Sequence, residues 1–486
     1  MSAPAEHLNL VDGDWRASAS GEWAEVQNPA DLREVVARVP AMDAADVAEV
    51  FAAARRAASG WAKTSPVARG RVLLQAGRLL RERRAEIAHD LTHEMGKLLG
   101  EALGEVDKSA DFFEYCGGLG RAPQGELLAD ERPGARAWTV REPLGVVLAI
   151  CPWNDPLLTP ARKLGPALIA GNAVVLKPAS YTPIVSLHLA RALLDAGLPA
   201  GVLGTVTGSA GRLGSALSGN AEIDAISFTG SNEVGEQLKR ELAGTNVKLQ
   251  AELGGKNATV VLADADLELA ASTIAAAGFA QAGQRCTATS RVICDRAIAE
   301  QLSERLAARA RALVLGAGLD GASTVGPLVS AEQQQTVAGF VERATAAGAQ
   351  LAAGGERPTH DGLEHGAFYE PTVLTAVEAS SEIWTEEVFG PVLALTHVDG
   401  LDEALTRVNG SAYGLAAAIF TSDLTAAMTF ADRAEVGQVA VNLPTSGWDV
   451  HMPFGGFKAS GSGSKEQGLE GVAWYTRTKV VAIGTG

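Results

Sequence analysis

The stretch NAVVLKPASYTPIVSLHLARALLDAGLPAGVLGTVTG, residues 172–208, decides the fold. Its ends, NAVVLKP (172–178) and VLGTVTG (202–208), are short, apolar and rich in β-branched residues. Between them, PIVSLHLARALLDAG repeats apolar residues every three or four positions, the period of a helix buried on one face. A strand, a helix and a second strand in that order predict parallel neighbours joined by a crossover. The pattern extends both ways, to VVLAIC (146–151) upstream and to IDAISFTG (223–230) and the helical SNEVGEQLKRELAG downstream. Repeated βα units of this kind predict a doubly wound parallel sheet.

After Gly255 the alternation resumes. NATVVLADAD is followed by a helical run through Phe279, then AGQRCT, the strand RVICD and a helix over AIAEQLSERLAARARALVL, which predicts a second α/β domain. Between Ala44 and Lys97, DVAEVFAAARRAASGWA and RVLLQAGRLLRERRAEIAHDL read as two amphipathic packing helices. Glycine, proline and mixed charge break residues 118–140 and mark a boundary. The tail WYTRTKVVAIGTG alternates like a strand, and the edge it leaves must be paired or shielded, which suits an oligomer contact.

A chain of 486 residues exceeds the length at which one core keeps growing, so two or three units are expected. With 47% hydrophobic and 20% charged residues there is ample core material, and no apolar run is long enough to cross a bilayer. The segment MSAPAEHLNLVDGDW has neither a basic nor an apolar signal region, so a cytoplasmic protein is expected. A net charge of −16 argues against nucleic acid as a partner. The four cysteines (Cys116, Cys151, Cys286 and Cys294) form no CxxC pair. His89 and His93, the one helical i, i+4 histidine pair, lie in a charged helix that reads as solvated. Neither a disulfide framework nor a metal site is expected.

Five positions offer chemistry. Cys286 lies in FAQAGQRCTATSR; a lone cysteine is commonly a small buried hydrophobe, but Gly283 permits an unusual turn and Arg285 supplies a positive charge that favours thiolate. Cys294, inside RVICD, reads as core. Glu252 ends a β-like run in VKLQAELGGKNATVV, as a solvated strand end or as a general base given freedom by Gly254 and Gly255. Asn154, in ICPWNDP, follows a strand at the carboxyl edge where open α/β sheets seat ligands; it caps a turn or donates its amide to an oxyanion. FTGSNEVG (228–235) runs from a strand into a helix whose free N–H groups suit phosphate, alone a weak signal. Lys177 also ends a strand, as an ordinary surface lysine or within reach of a ribose or phosphate.

Taken together, PWN, LKP, FTGSNEVG, ELGG and GQRC in this order, with EEVFGP (386–391) and VNLPTSGWDVHMPFGGFKASGSG (441–463), resemble the aldehyde dehydrogenase superfamily from about residue 8 to residue 480. The resemblance implies an α/β fold of two doubly wound parallel-sheet domains plus a small β oligomerisation element. Residues 1–120 and 142–253 would bind the dinucleotide, 254–465 would be catalytic, and 121–141 with 466–486 would assemble a homodimer or homotetramer. It makes Cys286 the nucleophile and Glu252 the general base, with Asn154 and the Cys286 N–H as oxyanion hole. Lys177 is counted with these catalytic residues and also at the adenosine ribose beside Ser180. Gly230 and Ser231 would meet the pyrophosphate, with Phe228, Val234 and Leu253 around them. Glu387 and Phe389 would meet the nicotinamide ribose, with Ile150 and Trp153 as walls. The interval from Glu252 to Cys286 matches the hydrolytic members, and the presence of this glutamate favours water over coenzyme A as acyl acceptor. Many NAD-specific relatives carry glutamate where Ser180 stands, so NADP is expected, with NAD as the alternative.

The expected substrate is a small-molecule aldehyde. The residue after Asn154 is Asp155 where general aliphatic enzymes are usually aromatic, and Arg162 stands where they often have tryptophan. The Arg162 position resembles the carboxylate-binding arginine of succinic semialdehyde dehydrogenases; otherwise it is a surface charge in TPARKLG. Asp155 is a possible partner that would weaken its pull. Leu158, Arg285, Thr287, Trp448 and Phe454 complete the expected pocket. VNLPTSGWDVHMPFGG and GQRCTATSR look closest to the 2-oxoglutarate semialdehyde (2,5-dioxovalerate) dehydrogenase branch. Trp448 and Asp155 depart from that branch and leave an aromatic or hydroxylated aldehyde as the alternative. A thiol acyltransferase or hydrolase without a nicotinamide predicts no dinucleotide binding, against FTGSNEVG and EEVFGP. A silent relative would lack the nucleophile, base or oxyanion asparagine, and all three are present.

Overall fold

A computed structural model describes residues 4–484; residues 1–3 and 485–486, at the ends of the first expected domain and of the oligomerisation element, lie outside the described residues. The repeated βα pattern becomes a five-stranded, wholly parallel sheet of β1 (Val146–Ile150), β2 (Ala173–Lys177), β3 (Leu203–Thr205), β4 (Ala225–Thr229) and β5 (Lys248–Glu252), in the order β3-β2-β1-β4-β5. The chain reverses direction across the sheet between β1 and β4, so the loops leaving their carboxyl ends diverge and open a crevice.

Four residues separate the end of β5 at Glu252 from β6 (Asn257–Val261), which begins a seven-stranded sheet. Its other strands are β7 (Thr289–Asp295), β8 (Gln350–Ala353), β9 (Thr372–Thr375), β10 (Val392–Val398), β11 (Ala416–Phe420) and β12 (Gln438–Val441), in the order β8-β9-β10-β7-β6-β11-β12. Only β8 runs antiparallel to its neighbour. The short join sets the carboxyl edge of the first sheet against the amino edge of the second. Buried Val, Ile, Leu and Ala from both sheets form cores with the helices that cover them.

The two packing helices expected between residues 44 and 97 are three: α1 (Ala44–Lys63), α2 (Pro66–Glu82) and α3 (Arg84–Met95). The periodic run breaks at Arg83, whose φ of −97° and ψ of 13° turn the chain. Both halves then pack on α4 (Leu99–Gly118). The hairpin of Trp23–Asn28 with Asp31–Pro40 was not legible in the sequence. The tail is a strand, Thr476–Gly484, paired antiparallel with Ala135–Pro143 along its whole length; Leu127–Leu128 adds a third strand on the far side. Leu127, Val480 and Ile483 on this small sheet are exposed. Among the described residues, no helix is long and apolar enough to cross a membrane.

Candidate active site

Between the facing edges of the two large sheets lies a cavity of about 680 Å³. Cys286 reaches it from a reversal of the chain after the helix Leu267–Phe279, where Gln281, Ala282 and Gly283 take positive φ values of 51°, 54° and 70°. Such a left-handed run costs free energy for the two residues that carry a Cβ, so neighbouring groups must hold it. The Gln281 N–H donates to Glu101 Oε1 at 2.7 Å, and the Val329 N–H donates to Gln284 Oε1 at 2.9 Å. Asn257 Nδ2, at the start of β6, donates to the carbonyls of Cys286 (2.7 Å) and Ala288 (2.9 Å). A Cβ on Gly255 would stand 2.6 Å from the Cys286 oxygen, so this approach requires glycine.

The Cys286 thiol borders the cavity and keeps part of its surface open. Burial pushes it up to about 12, against the opposing charge of Arg162. The cation expected to favour thiolate was Arg285; instead the Arg285 Nε donates to Gln281 Oε1 at 2.7 Å, and Arg162 is the cation whose charge acts on the sulfur.

The loop leaving β1 carries Trp153, Asn154 and Asp155 into the cavity. Lys97, 1% exposed, fixes this loop: its Nζ donates to the Asn154 carbonyl at 2.9 Å, faces Asp155 Oδ1 at 3.3 Å and bonds to Glu105. Glu105 Oε1 accepts from the Leu157 and Leu158 N–H groups at 2.9 and 3.0 Å, at the start of α5 (Leu158–Ala170). The Asn154 side-chain amide is thereby left without a bond to any described residue. Burial alone would raise the Asp155 carboxyl, but Lys97 and Arg285 hold it below its ordinary value.

Glu252, 2% exposed, does not border the cavity. Segment 454–463 clamps the end of β5, with the Leu253 N–H donating to Ser460 O at 3.0 Å and the Ser462 N–H to Ala251 O at 2.9 Å. The carboxyl sits against Gly455, where a Cβ would come within 2.5 Å of Oε1. Neither carboxyl oxygen bonds to a described residue. Burial, reinforced by the charge of Glu466, pushes its pKa well up.

Arg162 does not pair with Asp155, correcting that expectation. Its Nε lies 2.8 Å from Glu466 Oε2, off the N–H direction, so the contact is ionic, and its guanidinium lies 4.8 Å over the Phe454 ring. Lys163, 1% exposed, donates to Glu466 and, at 3.0 Å, to Ser227 Oγ. Leu158, Arg285, Thr287 and Trp448 border the same cavity with Asp155, Arg162 and Phe454. Thr445 Oγ1 donates to Thr287 O at 2.7 Å, and Trp448 Nε1 donates to Thr445 O at 3.0 Å, which ties the 441–463 loop to the cysteine segment.

Toward the first sheet, Trp153, Gly230, Ser231, Leu253, Glu387 and Phe389 border the cavity. Ile150, Lys177, Ser180, Phe228 and Val234 do not; Ile150 and Lys177 end β1 and β2 along the same carboxyl edge. Phe228 departs from its expected cofactor-facing place, its ring packing into the core over Gly230. Lys177 is neither a surface lysine nor a cavity group: it is buried, its Nζ donates to Pro178 O at 2.7 Å, and burial lowers its pKa to about 8. Ser180 Oγ donates to Gly208 O at 3.1 Å. Ser231 caps the N-terminus of α6 (Asn232–Glu241), and Val234 is exposed on its first turn. Glu387 Oε1 accepts from the Gly255 N–H at 2.8 Å, Oε2 bonds to no described residue, and burial pushes this carboxyl up to about 7. Phe389, at φ 54°, meets Trp153 edge-on at 5.2 Å.

A thiol, an unbonded amide and a helix N-terminus sharing one cavity suit acyl chemistry beside a phosphate-bearing ligand. The model of the aldehyde dehydrogenase family matches residues 15–481. The chain belongs to the aldehyde dehydrogenase family. It is 43% identical over 482 residues to an alpha-ketoglutarate semialdehyde dehydrogenase of Haloferax volcanii, covering 99% of each chain. To an alpha-ketoglutaric semialdehyde dehydrogenase of Bacillus subtilis it is 37% identical, covering 98% of each. A betaine aldehyde dehydrogenase of Staphylococcus aureus, solved in complex with NAD+, superposes with a TM-score of 0.96 at 33% identity, over 99% of this chain and 95% of that one. As a member of this family the protein is an NAD(P)-dependent aldehyde dehydrogenase, an enzyme that oxidises an aldehyde to the acid.

Proposed function

We propose that the substrate is a dicarboxylic semialdehyde, 2-oxoglutarate or succinic semialdehyde, and that it is oxidised as a thioester of Cys286. The observation that carries this reading is the meeting of the Cys286 thiol, the unbonded Asn154 amide and two arginines, Arg162 and Arg285, in one cavity. The names of the Haloferax and Bacillus relatives support the same substrate. Trp448 and Phe454 in that cavity favour an aromatic or hydroxylated aldehyde as the second reading.

Cys286 passes its proton to water, its thiolate favoured by the charge of Arg162, and attacks the carbonyl carbon; the new oxyanion is held by the Cys286 N–H and the Asn154 amide. A bound nicotinamide dinucleotide supplies the acceptor for the hydride that leaves this carbon. The carbon is then a thioester. Burial that raises the Glu252 pKa also makes its ionised form a stronger base. From its place beside Gly455, the carboxylate turns toward the thioester and takes a proton from water, whose oxygen displaces the sulfur and releases the acid. The free Glu387 oxygen fits ribose hydroxyls, the α6 N-terminus with Gly230 and Ser231 fits a pyrophosphate, and Lys177 lies at the sheet edge for the second ribose. The absence of a carboxylate at Ser180 supports NADP over NAD.

The division into 1–120 with 142–253, 254–465, and 121–141 with 466–486 is part of the proposal, supported by the separation of the five-stranded sheet, the seven-stranded sheet and the sheet of the tail. Exposed Leu127, Val480 and Ile483 support a homodimer or homotetramer built through the small sheet. The reading is tested by mixing a Glu252→Gln variant with aldehyde and dinucleotide. One acyl group should accumulate on the peptide that contains Cys286, by mass spectrometry; normal turnover with no adduct contradicts the assignment.

A further inference from the structure

The thiol and the oxyanion amide sit on two segments far apart in sequence that lean on one turn of one helix. α4 begins two residues after Lys97, and its Glu101 and Glu105 stand four apart, which puts both carboxylates on one helix face; both residues border the cavity. Glu101 holds the nucleophile side. Its Oε1 accepts from the Gln281 N–H at 2.7 Å, at the positive-φ reversal that leads to Cys286, and its Oε2 accepts from the Leu98 N–H at 3.1 Å. Glu105 holds the oxyanion side. Its Oε1 accepts from the Leu157 and Leu158 N–H groups at 2.9 and 3.0 Å, and its Oε2 from Lys97 Nζ, which also donates to the Asn154 carbonyl at 2.9 Å.

The two segments are also tied to each other, and the turn that supports them is clamped. Gln281 Nε2 donates to Asp155 Oδ1 at 3.1 Å, from one segment directly to the other. The Leu99 N–H donates to Gly318 O at 2.9 Å, and a Cβ on Gly318 or on Gly326 would collide with the Lys97 or the Gly96 oxygen. The stretch that follows reaches the cysteine segment, where Gln284 Nε2 donates to Pro327 O at 3.3 Å. Glu101 and Glu105 each accept through both oxygens, and bonds to a charged acceptor are short and strong. The two oxygens of a carboxylate lie a fixed distance apart, so each of these side chains is a rigid spacer between α4 and the segment it holds.

We propose that Glu101 and Glu105, with Lys97, are positioning residues: one turn of α4 sets the separation of the Cys286 thiol from the Asn154 amide, and with it the fit of the oxyanion to its two donors. The proposal rests on the oxyanion reading of Asn154 above.

The test follows the first turnover of dinucleotide reduction, which reads acylation, with saturating 2-oxoglutarate semialdehyde and with saturating pentanal. Glu101→Met should slow this step about 10- to 100-fold, with KM and the dinucleotide Kd little changed. Glu101→Gln, which keeps one acceptor oxygen, should fall between Glu101→Met and wild type. Glu105→Gln, which leaves Lys97 facing an amide, should slow acylation as well; Glu101 is only partly buried, so Glu101→Met carries the test if Glu105→Gln does not fold. Asn154→Ala alone should lose about 100- to 1,000-fold. Adding Glu101→Met to Asn154→Ala should cost less than about threefold more, because no amide is left to be misplaced. A Glu101→Met rate within about threefold of wild type, or a full multiplicative loss in the double variant, overturns the proposal. An Asn154→Ala protein that acylates at the wild-type rate refutes the oxyanion reading itself.

Discussion

Replacing Glu466 by glutamine removes the one carboxylate that contacts both Arg162 and Lys163. Glu466 is 2% exposed and Lys163 1%, so the variant leaves two cations buried with no ionised partner in contact. Breaking a buried pair in this way costs about 3–5 kcal/mol. In a chain of this size the expected fall in melting temperature is about 3–5 °C. Adding Lys163→Met to Glu466→Gln removes one of the stranded cations, so the double variant should melt above Glu466→Gln by at least about 1 kcal/mol of recovered stability. The same change acts on chemistry, because the charge of Glu466 helps to hold the Glu252 pKa up. Without it, Glu252 ionises more readily, and the alkaline rise of the deacylation rate should move to lower pH. Thermal melts of the two single variants and the double, with pH profiles of single-turnover deacylation, read both effects. A Glu466→Gln protein that melts within about 1 °C of wild type, or whose pH profile is unmoved, refutes the reasoning.

Cys286→Ser should lose dehydrogenase turnover by steady-state assay, with the melting temperature little changed. Glu252 has a folded pKa above its unfolded value, so the stability it contributes is fully present below about 4.5 and is lost as pH rises toward the folded value. Glu252→Gln should therefore melt above wild type at alkaline pH, and the gap should close on acidification. Ser180→Glu should shift the NADP-to-NAD ratio of kcat/KM toward NAD; an unmoved ratio removes the argument for NADP. Asn257→Ala frees the carbonyls of Cys286 and Ala288 and should lower kcat by about tenfold or more through a loosened nucleophile.

The fold was legible where its signals are local. Alternating β-like and helical runs gave the two parallel sheets, and the alternating tail gave a strand, whose partner at 135–143 had no local signal and was expected, as 121–141, only through the family resemblance. Cys286 and Asn154 stood out because glycine, arginine or a strand end flanked them. Arg83 shows where periodicity misleads: an unbroken apolar rhythm continues through a turn that only the packing of both halves on α4 imposes. Phe228 sits in a motif read as ligand-facing, yet its side chain is buried in the core, because a strand-end motif fixes the backbone and not the direction of the side chain. Lys97, Glu105, Lys163, Gln281 and Glu466 escaped notice, since their partners lie far off in sequence, as Gln281 does from Asp155 and Lys163 from Glu466. Asn257, in ELGGKNATVV, stood beside a motif already singled out and was the one such residue within reach.

Oxidation of a semialdehyde as a Cys286 thioester is read out by following nicotinamide reduction and acid formation by the purified enzyme. The aldehydes are 2-oxoglutarate semialdehyde, succinic semialdehyde, a short aliphatic aldehyde and a benzaldehyde, each with NADP and with NAD. The expected result is one acid formed per dinucleotide reduced, the semialdehydes first in kcat/KM, and loss of both products in Cys286→Ser. An aromatic or uncharged aldehyde in first place would contradict the substrate assignment, and turnover that survives Cys286→Ser would contradict the chemistry.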